Sequence, residues 1–91
     1  MGETQRRRLL ISGRVQGVHF RDSVRREATA AGVLGSARNL SDGRVEVILE
    51  GEAHAVDGVI AWCRSGPLRA RVDAVEIVPE SPEGLVGFVI G

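Results

Sequence analysis

The chain has 91 residues, 43% of them hydrophobic and 26% charged, which fits one globular domain and excludes a disordered chain. Twelve basic residues, every one an arginine, balance twelve acidic ones, and this neutrality argues against a general binder of nucleic acid or another long polyanion. The absence of lysine excludes Schiff-base chemistry and a Walker-type phosphate loop, and the lone Cys63 excludes an internal disulfide and a cysteine-rich zinc site.

Residues 1–7 are polar and arginine-rich and read as a solvated N-terminal arm leading into a single domain over residues 8–91. The apolar run Leu9–Ile11 is too short for a signal-peptide core or a membrane span, so the expectation is a soluble cytoplasmic protein. Arg8–Arg14 alternates as a strand, and apolar residues on both faces (Leu9 and Ile11 against Leu10) place it inside a sheet. Glycine breaks this pattern over Val15–Phe20, which is a loop. From Arg21 to Gly32 the spacing turns helical, with Val24, Ala28 and Ala31 on one face and Gly32 as the stop. Gly35–Leu40 is a short strand, Asp42-Gly43 carries a turn signal, and Val45, Val47 and Leu49 alternate with Glu46, Ile48 and Glu50 over Arg44–Glu50. Glu52–Ser65 is a second helix with Val56, Val59, Ile60 and Cys63 on its apolar stripe, closed by Gly66-Pro67. Val72–Pro79 is a further strand, and Gly87–Ile90 adds a short terminal one.

This order predicts a ferredoxin-like βαββαβ sandwich of class α+β, an antiparallel sheet with two helices on one face. A right-handed crossover makes the first and second strands run the same way, with the third inserted antiparallel between them. The ends of the first two strands then share one sheet edge, about 10 Å apart. The Val15–Phe20 loop and Asn39 should face each other there, and that edge is where function is expected.

A glycine-containing loop feeding a helix N-terminus presents unpaired N–H groups and a positive dipole end, which suits an anion. Arg21, a cation in that first turn, calls for an anionic partner nearby. On spacing alone the segment reads equally well as a short connector with a solvated arginine paired to Asp22 or Glu3.

Ile11-Ser12-Gly13-Arg14-Val15-Gln16-Gly17-Val18-His19-Phe20-Arg21 resembles the first signature of the acylphosphatase family, and Gly35-Ser36-Ala37-Arg38-Asn39-Leu40-Ser41-Asp42-Gly43-Arg44-Val45 resembles the second. Gly51, Gly66-Pro67, Ala70, Val72 and Val75 continue the likeness, which covers nearly the whole chain from Leu9. One departure is Ser36, where the family usually has an aromatic residue. The resemblance implies a small stand-alone, metal-free hydrolase of acyl phosphates that needs no cofactor. Arg21 and the loop of Val15, Gln16, Gly17, Val18, His19 and Phe20 would bind the phosphate, and Asn39 would hold the attacking water. Its partners would be a small-molecule acyl phosphate and the product inorganic phosphate, with no nucleic acid or membrane, and it would act as a monomer. The alternative is a non-catalytic phosphate-binding or interaction module of the same fold.

The chemistry agrees with that implication. Arginine offers a planar fork of donors for a phosphoryl group, and phosphoryl transfer asks mainly for positioning and charge stabilisation. The leaving carboxylate has a reference pKa of about 4, so it departs without a general acid. Elsewhere, His54 reads as a surface histidine, Cys63 as a buried core thiol and Trp62 as a cover for the edge of the core. RNA binding on the sheet is a weak rival, because Phe20, Trp62 and Phe88 all lie outside the middle strands.

Overall fold

A computed structural model, which describes residues 3–91, runs β1 (Thr4–Arg14), α1 (Phe20–Ala30), β2 (Leu34–Asn39), β3 (Val45–Glu52), α2 (Ala53–Cys63), β4 (Arg71–Glu80) and β5 (Phe88–Ile90). The strands form one sheet in the order β4-β1-β3-β2-β5. β3 lies antiparallel between β1 and β2, with Leu9 opposite Val47 and Ala37 opposite the same residue from the other side. β1 and β2 therefore run the same way and end on one edge, as the crossover rule requires.

Alternation decides which face meets the helices. Leu9 and Ile11 of β1, Val45, Val47 and Leu49 of β3, and Ala37 of β2 are fully buried and share one core with Val24 and Ala28 of α1 and Val56, Val59, Ile60 and Cys63 of α2. Each large aliphatic side chain in this layer contributes roughly 2 kcal/mol by leaving water. Gly32, at φ +73°, ends α1 in a left-handed turn. There the amides of Gly32 and Val33 bond back to the carbonyls of Thr29 (3.1 Å) and Ala28 (2.8 Å), a closure that glycine makes without strain. Trp62 is half-buried against Phe20, with ring centroids 5.8 Å apart. Cys63 sits in the apolar layer, where burial pushes its thiol up to about 12, so it is an inert core group.

Two expectations are corrected. The arm predicted over residues 1–7 is part of the sheet from Thr4 onward, because Thr4 to Arg7 pair with Glu52 to Leu49 of β3; residues 1 and 2 of that arm lie outside the described residues. Nor is Arg6 solvated: it is 8% exposed, and its guanidinium reaches Glu80 (2.8 Å), Glu50 (3.5 Å) and Glu83 (3.8 Å). The sheet, expected to be antiparallel, is mixed, because β5 lies parallel to β2 with Gly35 opposite Phe88 and Ala37 opposite Ile90.

The face away from the helices is also covered. Glu46, Ile48 and Glu50 are as little as 3–7% exposed. Arg8 and Arg38 bond Glu46 from either side (3.4 and 2.8 Å), and residues 81–87 cross over Glu50 on the way from β4 to β5.

Candidate active site

At the shared end of β1 and β2, the chain leaves β1 and turns through residues 15–19 into α1. Val15 and Val18 are buried and pin the loop to the core, while Gly17 and His19 between and beyond them stand exposed. Gly17 (φ +74°) and His19 (φ +61°) both adopt the left-handed conformation, and His19 is the one non-glycine residue among those described that does so. A side chain at such a φ stores of the order of 1–3 kcal/mol, held here by the anchors on each side. The two left-handed residues curl the loop into a nest of N–H groups. Among the described residues, the first amide after Val15 to find a backbone carbonyl is that of Ser23, which donates to His19 (3.0 Å). The intervening amides are available to an acceptor that the chain itself does not supply.

This loop, the start of α1, the end of β2 and β5 enclose a cleft of about 290 Å³ lined by Val15, Gly17, His19, Phe20, Arg21, Asp22, Asn39 and Ile90. Arg21 is half-buried, and its Nη1 donates to the backbone oxygen of Gly91. No Asp or Glu side chain among the described residues pairs with it, so neither Asp22 nor Glu3 neutralises it. The Asp22 carboxylate is instead held by Arg25 (2.6 Å) and Arg26 (3.1 Å) of its own helix. The cleft thus keeps one cation that no acidic side chain among the described residues neutralises, beside an acid whose charge is spent elsewhere.

Asn39 enters from the opposite side, exposed at the last position of β2 and paired with Val45. Its side-chain amide bonds no group among the described residues. The turn behind it is closed by Leu40 N–H donating to Arg44 O (2.8 Å) and by Asp42, whose carboxylate accepts from the Arg44 amide (3.1 Å). That amide, aided by the Arg44 side chain, holds the Asp42 carboxyl below its ordinary range.

Of the residues expected to touch phosphate, Val15, Gly17, His19 and Phe20 line the cleft with Arg21 and Asn39, and two do not. Val18 faces the core. Gln16 turns its side chain toward the β2–β3 turn, where Nε2 donates to the carbonyls of Leu40 (2.8 Å) and Arg44 (2.9 Å). It ties the anion loop to the turn that carries Asn39. Ser36, in the position the family usually gives to an aromatic residue, lies opposite Ile48 on the sheet face away from the helices and does not line the cleft. Sequence reasoning missed Ile90 and Asp22 as lining residues. The short strand at 87–90 was the available signal for Ile90, but only its parallel docking beside β2 brings that residue to the site.

A ferredoxin-like sandwich thus brings unpaired loop amides, an arginine that no acidic side chain among the described residues neutralises and an asparagine to one strand edge, an arrangement whose chemistry suits an anion. The family model for acylphosphatase matches residues 7–90. The chain is 55% identical over 82 residues to the acylphosphatase of Rubrobacter xylanophilus, covering 90% of this chain and 74% of that one. In structure it is similar to an acylphosphatase from Coxiella burnetii, with a TM-score of 0.93, 33% identity, and 97% and 93% of the two chains covered. It is also similar to part of full-length HypF in its phosphate- and nucleotide-bound form, with a TM-score of 0.92 and 26% identity; all of this chain but 12% of that one is covered. The chain belongs to the acylphosphatase family.

Proposed function

We propose that this protein hydrolyses the carboxyl–phosphate anhydride of acyl phosphates, with Arg21 and the loop amides gripping the phosphoryl group and Asn39 orienting the attacking water. The observation that carries this reading is the meeting of Arg21 and Asn39 across one cleft, over a loop with unspent N–H donors. Arg21 supplies charge-assisted donors to the phosphoryl oxygens. The nest of amides takes others and favours the charge that spreads over them in the transition state. Water held by the Asn39 amide attacks phosphorus in line. The bond from phosphorus to the bridging oxygen breaks, its electron pair leaves with the carboxylate, and the water's protons pass to phosphate and solvent. A carboxylate leaving group, with a reference pKa of about 4, needs neither a general acid nor a Lewis acid to depart. The reading is therefore of a metal-independent enzyme, acting as a cytoplasmic monomer on small-molecule substrates.

The test is release of phosphate from benzoyl phosphate in the presence of EDTA. Wild type is expected to turn over. Arg21→Ala should lose roughly 10²-fold in kcat/KM through lost charge-assisted bonds, with KM for substrate and affinity for inorganic phosphate both weakened. Asn39→Ala should lose chiefly kcat, by about 10²-fold, as expected for a group that acts on the attacking water rather than on phosphate. An unaltered Asn39→Ala removes its role. A second reading is a phosphate-binding module without turnover; the likeness to a segment of HypF, solved in a phosphate- and nucleotide-bound form, shows this fold within a larger protein but does not choose between the two. A wild-type protein that binds inorganic phosphate at the loop amides but leaves benzoyl phosphate intact would decide for the module.

A further inference from the structure

β4 and β5 are the two outer strands of the sheet, so the chain between them must cross its full width. Four strand spacings amount to ~19 Å, and seven extended residues reach at most ~25 Å. The strap over residues 81–87 has little slack. It crosses the face opposite the helices and is caught midway by one side chain. The carboxylate of Glu50, 3% exposed, accepts from the backbone amides of Glu83 (2.7 Å), Gly84 (2.8 Å) and Leu85 (2.9 Å). Arg6, 3.5 Å away, holds the same carboxylate from the β1 side.

Where the strap lands matters to the site. Its last residue, Gly87, accepts the amide of Gly35 (2.9 Å), which starts β5 in register with β2. β5 then runs beside Gly35–Ala37, two residues short of Asn39, and Gly91 N–H donates to Ala37 O (2.9 Å). Ile90 forms a wall of the cleft, and the Gly91 oxygen accepts from Arg21. A continuous set of bonds thus leads from Glu50, on the far face of the sheet, to the arginine in the cleft.

We propose that Glu50 is a positioning residue for phosphate binding: as the clasp on the strap, it sets where β5 docks and so where Arg21 is held. This inference rests on the reading of Arg21 as the phosphate-binding arginine. β3 carries its own control. Glu46 is also buried on the same face and is paired with Arg8 and Arg38, but it touches no strap residue. A merely structural role would make the two glutamates equivalent.

The experiment compares Glu50→Gln with Glu46→Gln in the full chain. It measures melting temperature, affinity for inorganic phosphate by titration, benzoyl phosphate kinetics, and hydrogen exchange of the amides of residues 83–91. Both variants are expected to melt lower. Only Glu50→Gln should speed exchange over residues 87–90 and weaken phosphate binding, by roughly tenfold, because its amide group sets donors against the three backbone N–H groups. Equal phosphate affinity in the two variants, with strap and β5 protected alike, overturns the proposal. If Glu50→Gln does not fold, Gly84→Ala tests the same link. Gly84 has φ +76° with open space about it, so a side chain there strains the strap and leaves the core untouched. The same faster exchange and weaker phosphate binding are expected, and unchanged affinity overturns the proposal. A wild-type protein that binds phosphate without cleaving benzoyl phosphate overturns the enzyme reading instead, and the affinity and exchange measurements still decide the clasp.

Discussion

Gln16 is the residue on which the geometry of the cleft most directly depends without lining it. Both groups it meets, Leu40 O and Arg44 O, are carbonyl oxygens, so its nitrogen must face them. The two bonds join the loop after β1 to the turn after β2, the two segments that bring Arg21 and Asn39 together. Replacing Gln16 by alanine removes both donors and should cost about 1–2 kcal/mol. Replacing it by glutamate keeps the shape but turns an anionic oxygen toward two carbonyls, and should cost more, about 3 kcal/mol. Urea denaturation of the two variants checks the order, and a glutamate variant as stable as wild type would remove the tie from the argument. In both, kcat should fall more than the overall fold is perturbed, since the loop and Asn39 are no longer fixed to each other. At this scale much was legible in the sequence. Arg21 and Asn39 could be brought to one edge by strand order alone, because a right-handed crossover leaves few alternatives. That Gln16 would bond across to the turn, and Val18 face the core, depended on loop dihedrals that no spacing rule supplies.

At the scale of elements, paired charges flank the buried Ile48 on the sheet face opposite the helices. Arg6 stands directly opposite Glu50 on β3 and Glu80 on β4, and Arg38 opposite Glu46, so strand register itself sets these pairs. The Glu50 carboxyl lies below its ordinary value of 4.5, first because the amide of Glu83 bonds it, then through Leu85, Gly84 and Arg6, with burial working the other way. The charged groups around it are Arg6 from β1, Glu80 from β4 and Glu83 from the strap. A carboxyl whose pKa is lowered by folding adds stability that is complete above its unfolded value and is lost as pH falls through the folded one. The melting temperature should therefore be flat down to about pH 5 and fall below it, and Glu50→Gln should flatten the fall. A pH profile identical in the variant would show that Glu50 does not contribute. This layer was hidden from sequence reasoning for a physical reason. Arg6-Arg7-Arg8 is a charge run, and such runs are usually solvated; the carboxylates that bury Arg6 come from positions 50, 80 and 83. Likewise Glu46 and Glu50 alternate with Val45, Val47 and Leu49 as solvent-facing residues should, and only the strap and the neighbouring arginines cover them.

Across the whole molecule, most strand neighbours are distant in sequence. Only β2 and β3 form a hairpin; β1 must find β3 and β4, with Arg6 opposite Glu50 and Glu80, and β5 must reach β2 after the strap has crossed the sheet. Closing such long loops costs chain entropy before the contacts that repay it are made. The two helices do not shorten the search, because α1 and α2 each bury a stripe of only three or four residues and gain their stability from the sheet beneath them. Folding should therefore be slow for a chain of 91 residues, on the order of milliseconds to seconds rather than microseconds. Trp62, the single tryptophan, reports on this directly, since it packs on Phe20 at the start of α1. Stopped-flow refolding followed by its fluorescence should resolve the main phase, and Glu50→Gln should chiefly speed unfolding if the strap docks after the transition state. Recovery of the native signal within about 100 µs, the range of helical domains dominated by local contacts, would contradict the account.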